Sequence, residues 1–498
     1  MVGFTVVSAI VDNNSSELMG VSDLEFITIG GQGFLFVAAE ADGSVSSFRI
    51  NTTGALQLVD TLSLSATSGT FTVSHIDLIQ VDGASILLPS ARHDNDVVAY
   101  LVNGQGHITN AVSQPVGSPN LSNLSLTHTV NIADRTYLYT VTHGVPGMAA
   151  YQMFSGNSFA AQTIYTDNAF DFFGDISAFA SVAIETQTYL FTASAFDAGL
   201  NSFRINASGD LQFIDRVVNS DASGFSQPQA LETITVQGQV YLVMASAGTD
   251  SLTVYSVSNT GSLLEVDHLI DGVNTRFNDA SSLASFSVNG RSYILAAGSD
   301  DGLTLLEISS SGRLTFLTVL ADDFDSTLNN ITDIEVARIG DEIHVFVSSG
   351  SENGFTDILI DTNSIGETFI GSNDHEILNG SALDDILNGR GGSDTINARA
   401  GDDRILDGQG RDHLYGGAGA DIFQFVVDDT LDLIRDYEDG LDRIDLSLLT
   451  GFNGINGLEI YPRSYGAVII AGGEEIRIDT ADGSGLTLND FSSLDFIF

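Results

Sequence analysis

The chain of 498 residues contains no cysteine, which excludes disulfide bonds and thiolate metal sites. It also contains no lysine: all 17 basic residues are arginines, and they stand against 65 aspartates and glutamates. The resulting formal charge of −48 repels nucleic acid and anionic membrane surfaces and attracts cations. The composition therefore favours metal ions and neutral surfaces as partners, and it predicts no nucleic-acid binding.

Long apolar runs are missing as well. No segment reaches the ~18 consecutive apolar residues that a membrane-spanning helix needs, so no membrane span is predicted. The first residues, MVGFTVVSAIVDNN, include neither a basic leader nor a small-residue cleavage motif, and we do not expect a signal peptide there. If the protein is exported, its export signal is expected elsewhere.

Internal repetition dominates the first three quarters of the chain. One column recurs every 51 or 52 residues, at Phe34, Ile86, Tyr137, Tyr189, Tyr241, Tyr293 and His344. Each copy reads as four short runs of β-branched and aromatic residues separated by turn residues, as in residues 231–269. Seven four-stranded units of this size predict an all-β fold, a seven-bladed β-propeller over residues 1–361.

A circular array of blades must close. The fourth-strand column reads Leu56, Ile108, Phe159, Leu211, Leu263 and Leu314. Phe4 stands 52 residues before the first of these, and the seventh copy has no fourth run of its own. We therefore expect residues 4–11 to complete the last blade, so that no sheet edge is left exposed.

The blades, which read like LTVYSVSNTGSLLEV at residues 252–266, resemble those of lactonase-type seven-bladed propellers. The resemblance lies in blade-building residues, so it implies a fold more than an activity. No G-x-S-x-G elbow and no H-E-x-x-H zinc helix accompany it.

The first strand of each propeller blade is expected to line the central channel. One column of these strands reads Glu25, Asp77, His128, Ala180, Glu232, Ala284 and Glu335. These acids and the imidazole could hold a hard cation, or act as a general base toward a lactone or a sugar. Alternatively, they are hydrated side chains of a solvated tunnel. The sequence leaves both interpretations open.

A nine-residue period covers residues 362–424, where seven nonamers follow one another without an insertion. Their sixth positions are Glu367, Glu376, Asp385, Asp394, Asp403, Asp412 and Asp421. Their eighth positions are the apolar residues Phe369, Leu378, Leu387, Ile396, Ile405, Leu414 and Phe423. The fourth positions of the last four nonamers are Gly392, Gly401, Gly410 and Gly419.

This pattern resembles the RTX nonapeptide G-G-x-G-x-D-x-U-x, a calcium-binding parallel β-roll repeat. The resemblance implies that the turns hold several Ca²⁺ ions through the sixth-position acid and backbone carbonyls, while the eighth residue packs inward. It also implies that alternate turns share a side, with Asp385, Asp403 and Asp421 on one side and Glu376, Asp394 and Asp412 on the other. The first three nonamers lack the fourth-position glycine, so the calcium sites are expected mainly in the last four.

Residues 431–449, LDLIRDYEDGLDRIDLSLL, are similar to the segment after the roll in serralysin-type secreted proteins. The similarity implies a short β-rich cap over residues 425–498, which shields the apolar end of the solenoid. The final SSLDFIF resembles the uncleaved signal of type I secretion. These resemblances imply a bacterial protein exported by type I machinery to the cell surface or the medium.

Two classes of function remain open. Loops rich in Ser, Thr, Asn, Asp and Gly suit cell-surface glycans or other copies of the chain, and no catalytic constellation is assembled in the sequence. This favours binding, adhesion or surface assembly. The alternative is a secreted hydrolase or lyase that acts on a lactone or an acidic polysaccharide.

Overall fold

The computed structural model describes residues 2–13, 16–64, 72–81, 83–92, 99–112, 124–154, 158–167, 172–219, 224–449, 454–492 and 495–497. Within these ranges the regular structure is β, apart from two short 3-10 helices at Ala247–Thr249 and Ile455–Gly457. In the part of the chain so described, no helix has the length and apolar character to cross a bilayer. The chain forms two compact units. The first comprises Gly3–Ser287 and Ser292–Asp361, and the second is formed mainly by the residues from Thr362 onward.

The first unit consists of seven four-stranded antiparallel sheets. Its strands are β1 (Gly3–Val11), β2 (Val21–Ile29), β3 (Gln32–Ala39), β4 (Ser44–Ile50), β5 (Leu56–Ser63), β6 (Thr72–Val81), β7 (Ala84–Arg92), β8 (Ala99–Val102), β9 (Ile108–Val112), β10 (Leu124–Ile132), β11 (Arg135–Thr142), β12 (Gly147–Phe154), β13 (Ser158–Thr166), β14 (Ile176–Ile184), β15 (Gln187–Ser194), β16 (Gly199–Ile205), β17 (Leu211–Val218), β18 (Pro228–Val236), β19 (Gln239–Ser246), β20 (Ser251–Val257), β21 (Leu263–Ile270), β22 (Ser282–Val288), β23 (Arg291–Ala297), β24 (Gly302–Ile308), β25 (Leu314–Ala321), β26 (Ile331–Ile339), β27 (Glu342–Ser349) and β28 (Gly354–Asp361). Each consecutive set of four from β2 to β25 forms one sheet. This is a seven-bladed β-propeller, and it confirms the predicted fold.

The seventh blade combines strands from both ends of this unit, in the order β1-β28-β27-β26. β1 runs antiparallel to β28, with Phe4 opposite Ile360 and Val11 opposite Gly354. The last blade therefore has four strands like the others, and its outer strand comes from residues near the start of the chain.

The tyrosine column explains why the period is so regular. The Tyr137 hydroxyl donates to the carbonyl oxygen of Ala207 at 2.9 Å, and the Tyr189 hydroxyl donates to that of Asn259 at 2.8 Å. Each bond reaches from the second strand of one blade to the turn between the third and fourth strands of the next. Gly209 in that turn has a φ of +80°, and a Cβ there would overlap the Tyr137 ring. The aromatic ring and the glycine therefore form a contact that recurs between consecutive blades of this chain.

Apolar cores fill the spaces between neighbouring blades. The seventh and first blades share a buried cluster that contains Leu24, Phe48, Phe346 and Phe355. The rings of Phe48 and Phe355 meet edge to face, with 5.4 Å between their centroids. Such clusters recur from blade to blade, so burial of apolar surface contributes to stability all around the ring.

The second unit is a parallel β-solenoid with two sheets. Its strands are β29 (Ile365–Ile370), β30 (Ile377–Asn379), β31 (Asp384–Asn388), β32 (Thr395–Ala400), β33 (Arg404–Leu406), β34 (His413–Ala418), β35 (Ile422–Gln424), β36 (Leu431–Tyr437), β37 (Arg443–Asp445), β38 (Glu459–Arg463), β39 (Gly466–Ala471), β40 (Glu474–Thr480) and β41 (Phe496–Ile497). One sheet has the order β29-β31-β33-β35-β37-β41 and the other β30-β32-β34-β36-β40-β39-β38. Successive nonamers therefore alternate between the sheets, and among the described strands of this second unit only β38, β39 and β40 pair antiparallel.

A narrow apolar core separates the two sheets of the roll. Its centre is formed by eighth-position residues that are fully buried, Leu387, Ile396, Ile405, Leu414 and Phe423. Phe369 and Leu378 of the first nonamers are only partly buried against it. Beyond the nonamers, Tyr437, Ile476 and Phe496 continue the core. Residues 493, 494 and 498 of the terminal SSLDFIF stretch lie outside the described residues.

Candidate calcium roll and propeller channel

The acids of the roll form two hydrogen-bonded ladders. On the first ladder the backbone N–H of Glu376 donates to Oδ1 of Asp394 at 2.8 Å. The N–H of Asp394 donates in turn to Oδ1 of Asp412 at 2.6 Å. Each link spans 18 residues, which is two nonamers. The links fix each carboxylate against the backbone of a turn on the same side of the roll.

The second ladder lies on the other side. The N–H of Glu367 donates to Oδ1 of Asp385 at 2.7 Å, and that of Asp385 donates to Oδ1 of Asp403 at 2.7 Å. The N–H of Asp403 completes the series by donating to Oδ1 of Asp421 at 2.9 Å. The structure thus separates the predicted site acids into the two expected sets.

One carboxylate oxygen of most ladder acids has no protein partner. Among the described residues of the roll, a buried Oδ2 without a hydrogen bond belongs to Asp394, Asp403, Asp412, Asp421 and Asp432, and each of these residues is at most 1% exposed. A buried, unpaired carboxylate oxygen is strongly unfavourable. An oxygen-seeking cation such as Ca²⁺ would satisfy it without disturbing the Oδ1 ladder.

The protonation behaviour of these acids agrees with this arrangement. Burial raises the pKa of Asp403 and Asp412 to about 7, and neighbouring carboxylates contribute to the shift. Burial likewise raises the pKa of Asp421 to about 8. The charged form of each acid is therefore unfavourable in the protein alone, and a bound divalent cation would reverse that preference.

The fourth-position glycines allow the turns to stack closely. Gly410 and Gly419 have φ values of +113° and +138°. A Cβ at either position would overlap the carbonyl oxygen of Gly392 or Gly401, two nonamers earlier. These glycines therefore bring the backbone of successive turns near the acids, and they serve the site through geometry, not as side-chain ligands.

The two earliest site acids differ from the rest. Ser372 donates to Glu376 through both its N–H (2.8 Å) and its hydroxyl (2.5 Å). The Ser381 hydroxyl donates to Asp385 at 2.9 Å. Neither acid is among those with a buried, unpartnered oxygen in the described chain. Serine thus occupies the acceptor sites that a cation would use, which agrees with the expectation that the early nonamers are weaker.

Both ladders continue past the nonapeptides. The N–H of Asp412 donates to Oδ1 of Asp432 at 2.8 Å, and that of Asp421 donates to Oδ1 of Asp442 at 3.0 Å. These links span 20 and 21 residues, so a strict nine-residue count missed both acids. The local patterns D-L-I and D-R-I, which repeat the D-x-apolar end of the nonamer, could have identified them.

The fold and the acid ladders define a β-propeller protein with a calcium-binding β-solenoid. The model of the RTX calcium-binding nonapeptide repeat family, which describes four copies of the repeat, matches residues 370–405 and 399–424. The chain therefore carries RTX repeats, whose metal is Ca²⁺, and both predictions are confirmed.

Comparison with whole proteins adds little. No curated protein sequence matches the chain. One solved structure, a protein from Lactobacillus plantarum determined as a structural genomics target, is similar with 14% identity and a TM-score of 0.46. The match covers 63% of this chain and 86% of that one.

The predicted channel column lies on the innermost strands of the propeller, and the first strands of neighbouring blades contact one another. The structure divides the column in two. Glu25, Asp77 and Glu335 interact electrostatically in one acidic cluster formed by blades seven, one and two. His128 and Glu232 also interact electrostatically with members of this cluster, His128 with His75 and Glu232 with Glu335, but their hydrogen bonds go to other blades.

Sequence reasoning missed three members of this cluster, Asp23, His75 and Asp333. Each precedes a residue of the predicted column by two positions, so it lies on the same face of its strand. The ring of His75 lies between two acids: Nδ1 is 2.9 Å from Oδ2 of Asp23, and Nε2 is 3.7 Å from Oδ2 of Asp77. Asp333 accepts the N–H of Leu24 at 2.9 Å. A search for two same-face columns, in place of one, would have found all three.

Burial and the charges within this cluster shift the pKa values of its members. Burial opposes a charge on His75, but the charge and hydrogen bond of Asp23, together with the charges of Asp77 and Glu25, outweigh burial and raise the pKa of the imidazole to about 10. Burial raises the pKa of Asp77 to about 6 and that of Asp333 to about 8. Burial, followed by the charge of Glu335, raises the pKa of Glu25 well above its ordinary value. Protons are therefore retained in this cluster near neutral pH.

His128 and Glu232 form hydrogen bonds with residues of neighbouring blades. His128 Nε2 lies 2.9 Å from the Ser181 hydroxyl, and burial lowers the pKa of the imidazole to about 4. The Ser285 hydroxyl donates to Glu232 at 2.6 Å, and burial raises the pKa of this acid to about 7. These contacts join consecutive blades.

Proposed function

We propose that this chain is an extracellular calcium-dependent binding protein. Its propeller acts as an adhesion or surface-assembly module, and calcium organises the roll outside the cell. The observation that carries the binding role is a set of exposed apolar side chains on loops of one propeller face.

This loop face follows from the strand order. Strands within a blade alternate in direction, so the loops between the second and third strands share a face with the connections between blades. Large apolar side chains are exposed there at Met19, Val145, Phe196, Val273 and Phe324. Phe196, Val273 and Phe324 are each at least 81% exposed.

The described turns of the opposite face are different. Between third and fourth strands they read NTTGA at residues 51–55, NASGD at 206–210 and SNTGS at 258–262. Their side chains bond within the turn: Asn206, for example, accepts the N–H of Ser208 at 2.8 Å. Exposed aromatic side chains on one face and self-satisfied polar turns on the other favour a single binding face.

The net charge of the chain restricts the class of partner that it can bind. A chain with a formal charge of −48 repels acidic polymers, so a neutral glycan or a second copy joined through apolar loops is favoured over an anionic polysaccharide. Aromatic rings on loops can stack on the apolar faces of sugar rings or pack against another protein.

The test is a binding assay with a matched control. Phe196→Ser with Phe324→Ser should abolish retention on neutral polysaccharide and concentration-dependent self-association, measured by affinity electrophoresis and sedimentation velocity. Leu264→Ser is the control, because Leu264 is 67% exposed but lies on the outer strand β21. If the loop variant binds and associates like the Leu264 variant, the loop-face proposal fails.

Extracellular localisation is the second part of the proposal. RTX repeats, the absence of cysteine and the resemblance of SSLDFIF to a type I signal support export by type I machinery. Expression in a host with and without a type I transporter tests it. The protein should reach the medium only when the transporter is present, and a variant with DFIF replaced by polar residues should stay inside. Transporter-independent release would contradict this route.

The acidic cluster favours one alternative, a secreted hydrolase or lyase acting on a lactone or an acidic polysaccharide. Its support is the imidazole of His75 held between Asp23 and Asp77, an arrangement suited to proton transfer. Screening the calcium-loaded protein against both substrate classes tests this alternative. Turnover that disappears in His75→Gln, but persists in His128→Gln, would replace the binding proposal.

A further inference from the structure

Three acids converge at the end of the roll, beyond the last nonapeptide. The carboxylates of Asp428, Asp432 and Glu474 place their ligand atoms within 4.8 Å of one another. Asp428 lies in the loop before β36, Asp432 is on β36, and Glu474 begins β40. The site therefore joins the solenoid to the antiparallel strands β38–β40, which no nine-residue pattern predicts.

Two buried oxygens in this group have no hydrogen-bond partner. They are Oδ2 of Asp432 and Oε1 of Glu474, and both residues are 0% exposed. Their other oxygens are held by the backbone: Asp432 accepts the N–H of Asp412 at 2.8 Å, and Glu474 accepts that of Asp428 at 3.0 Å. The unpartnered atoms are thus fixed in position inside the acidic group.

The third acid is held in the same way. Oδ1 of Asp428 accepts the N–H and the hydroxyl of Thr430, at 2.9 and 2.8 Å, and its Oδ2 accepts the N–H of Gly410. The ion pairs of the described chain provide no arginine or histidine partner for any of the three acids. Their negative charge is therefore not compensated by a basic side chain in that part of the protein.

The strand register explains why a residue outside the repeats is used. β40 follows β36 in the sheet, where the next nonamer would stand, but Asp432 lies opposite Ile476. The ladder consequently has no acid in register at this rung. Glu474, two residues earlier and with a longer side chain than aspartate, brings a carboxylate to the group.

We propose that Asp428, Asp432 and Glu474 bind an additional Ca²⁺ that fastens β38–β40 to the end of the roll. Three carboxylates, two of them fully buried, suit a hard divalent cation, and the irregular geometry suits calcium better than magnesium, which requires a near-ideal octahedron and retains its waters. The ion would make the closing strands of the solenoid depend on calcium, as is predicted for the repeats themselves.

The test compares calcium stoichiometry in variants of the full chain. Glu474→Gln preserves size and the hydrogen-bond acceptor but removes the charge. It should bind one Ca²⁺ fewer per molecule at saturation, by equilibrium dialysis. Amide exchange in residues 466–480 should become faster by about tenfold or more, because local opening is no longer opposed by the ion. Glu475→Gln is the matched control, since Glu475 is the adjacent, exposed acid of the same strand.

Asp428→Asn gives an independent measurement at the same site and should also lose one ion. If Glu474→Gln prevents the roll from folding, the measurement on Asp428→Asn decides whether these acids bind a Ca²⁺ ion. Wild-type stoichiometry and exchange in Asp428→Asn would overturn the proposal. An equal loss in the Glu475 control would overturn it as well, because the effect would then be general charge removal.

Discussion

Four buried aspartates of the last nonapeptides, Asp394, Asp403, Asp412 and Asp421, use their two oxygens differently. Oδ1 accepts a backbone N–H from a turn two nonamers earlier, while Oδ2 has no protein partner. The first contact is structural and needs only an acceptor, which asparagine also provides. The second needs negative charge if the unpartnered oxygen is to bind a cation. Replacing aspartate by asparagine should therefore separate calcium binding from the backbone ladder.

Asp403→Asn is predicted to raise the calcium concentration at half-maximal folding of the roll by about tenfold or more, since a charged ligand is lost from a buried site. Asp385→Asn should have a smaller effect, because Ser381 already donates to that carboxylate. The two acids occupy adjacent rungs of one ladder, which makes them a matched pair. Calcium titrations followed by circular dichroism measure both midpoints, and equal shifts would contradict the distinction between early and late nonamers.

The raised pKa of Glu232 predicts that the stability of the propeller depends on pH. Burial raises its pKa from 4.5 to about 7, so the folded state holds this proton more tightly than the unfolded state. The stabilisation is complete below pH 4.5 and is lost as the pH rises through about 7. Glu232→Gln should therefore stabilise the propeller at pH 8 by up to about 3 kcal/mol and have little effect at pH 4.

Denaturant unfolding at the two pH values measures this difference. Glu40→Gln is the control, because Glu40 is an exposed carboxylate in the loop after β3. A stabilisation that is equal at both pH values, or that also occurs in the Glu40 variant, would show that ionisation of Glu232 is not its cause.

At the scale of strands and sheets, the propeller and the roll were predicted mainly from the periodicity of the sequence. The 52-residue column corresponds to ring contacts between blades, and the nine-residue column corresponds to a buried stripe in the roll. Both are repeated physical contacts, so they leave a repeated sequence. The acids at Asp432 and Asp442 could not be found by the same count, because insertions shift their phase although the hydrogen bonds continue.

The propeller channel shows a different limit. Asp23, His75 and Asp333 meet because three consecutive blades bring their inner strands together, and no pattern within one blade records that proximity. Glu474 is similar: its role depends on β40 following β36 in a sheet although more than 30 residues separate them in sequence. Repeats in the sequence therefore predict the scaffold. A site formed by residues of different repeats can be predicted only when the register between the strands is known.

β1 is predicted to be essential for the seventh blade. It pairs with β28 from Gly3 to Val11, and Ile10 packs against the cluster shared by the seventh and first blades. Deleting residues 2–11 removes these contacts and leaves the edge of β28 unpaired, which favours aggregation. The truncated chain should unfold at a temperature lower by several degrees, or associate, in calorimetry and light scattering.

A peptide with the sequence of residues 2–12 provides the control. Added to the truncated chain, it should restore the original unfolding temperature by pairing with β28, whereas a peptide with the same composition in scrambled order should not. A truncated chain that remains monomeric and unfolds like the intact protein would show that the strand is dispensable.

The two units of the whole molecule differ in what stabilises them. The propeller has apolar clusters between its blades that contain whole aromatic rings. The roll has a core about one residue wide on each strand, flanked by two ladders of buried acids. Hydrophobic burial therefore contributes to propeller stability without a metal ion, while each nonapeptide strand of the roll buries one large apolar residue beside acids that repel one another.

Calcium removal should consequently unfold the roll and spare the propeller. Without a cation, carboxylates of neighbouring turns at ~4 to 6 Å repel each other by a few kcal/mol per pair at an effective dielectric near 20. Ordering the backbone opposes folding by a further ~1 to 2 kcal/mol per residue, which the narrow apolar stripe does not offset. Because calcium binds the folded roll and not the unfolded chain, its binding energy is also folding energy.

Amide exchange of the full chain with calcium and with chelator measures this dependence of the roll on calcium directly. In chelator, residues 377–445 should lose their protection while the inner strands of the propeller keep theirs, and restoring calcium should reverse the change. Protection of the roll that is the same in both conditions would refute the dependence of its fold on calcium.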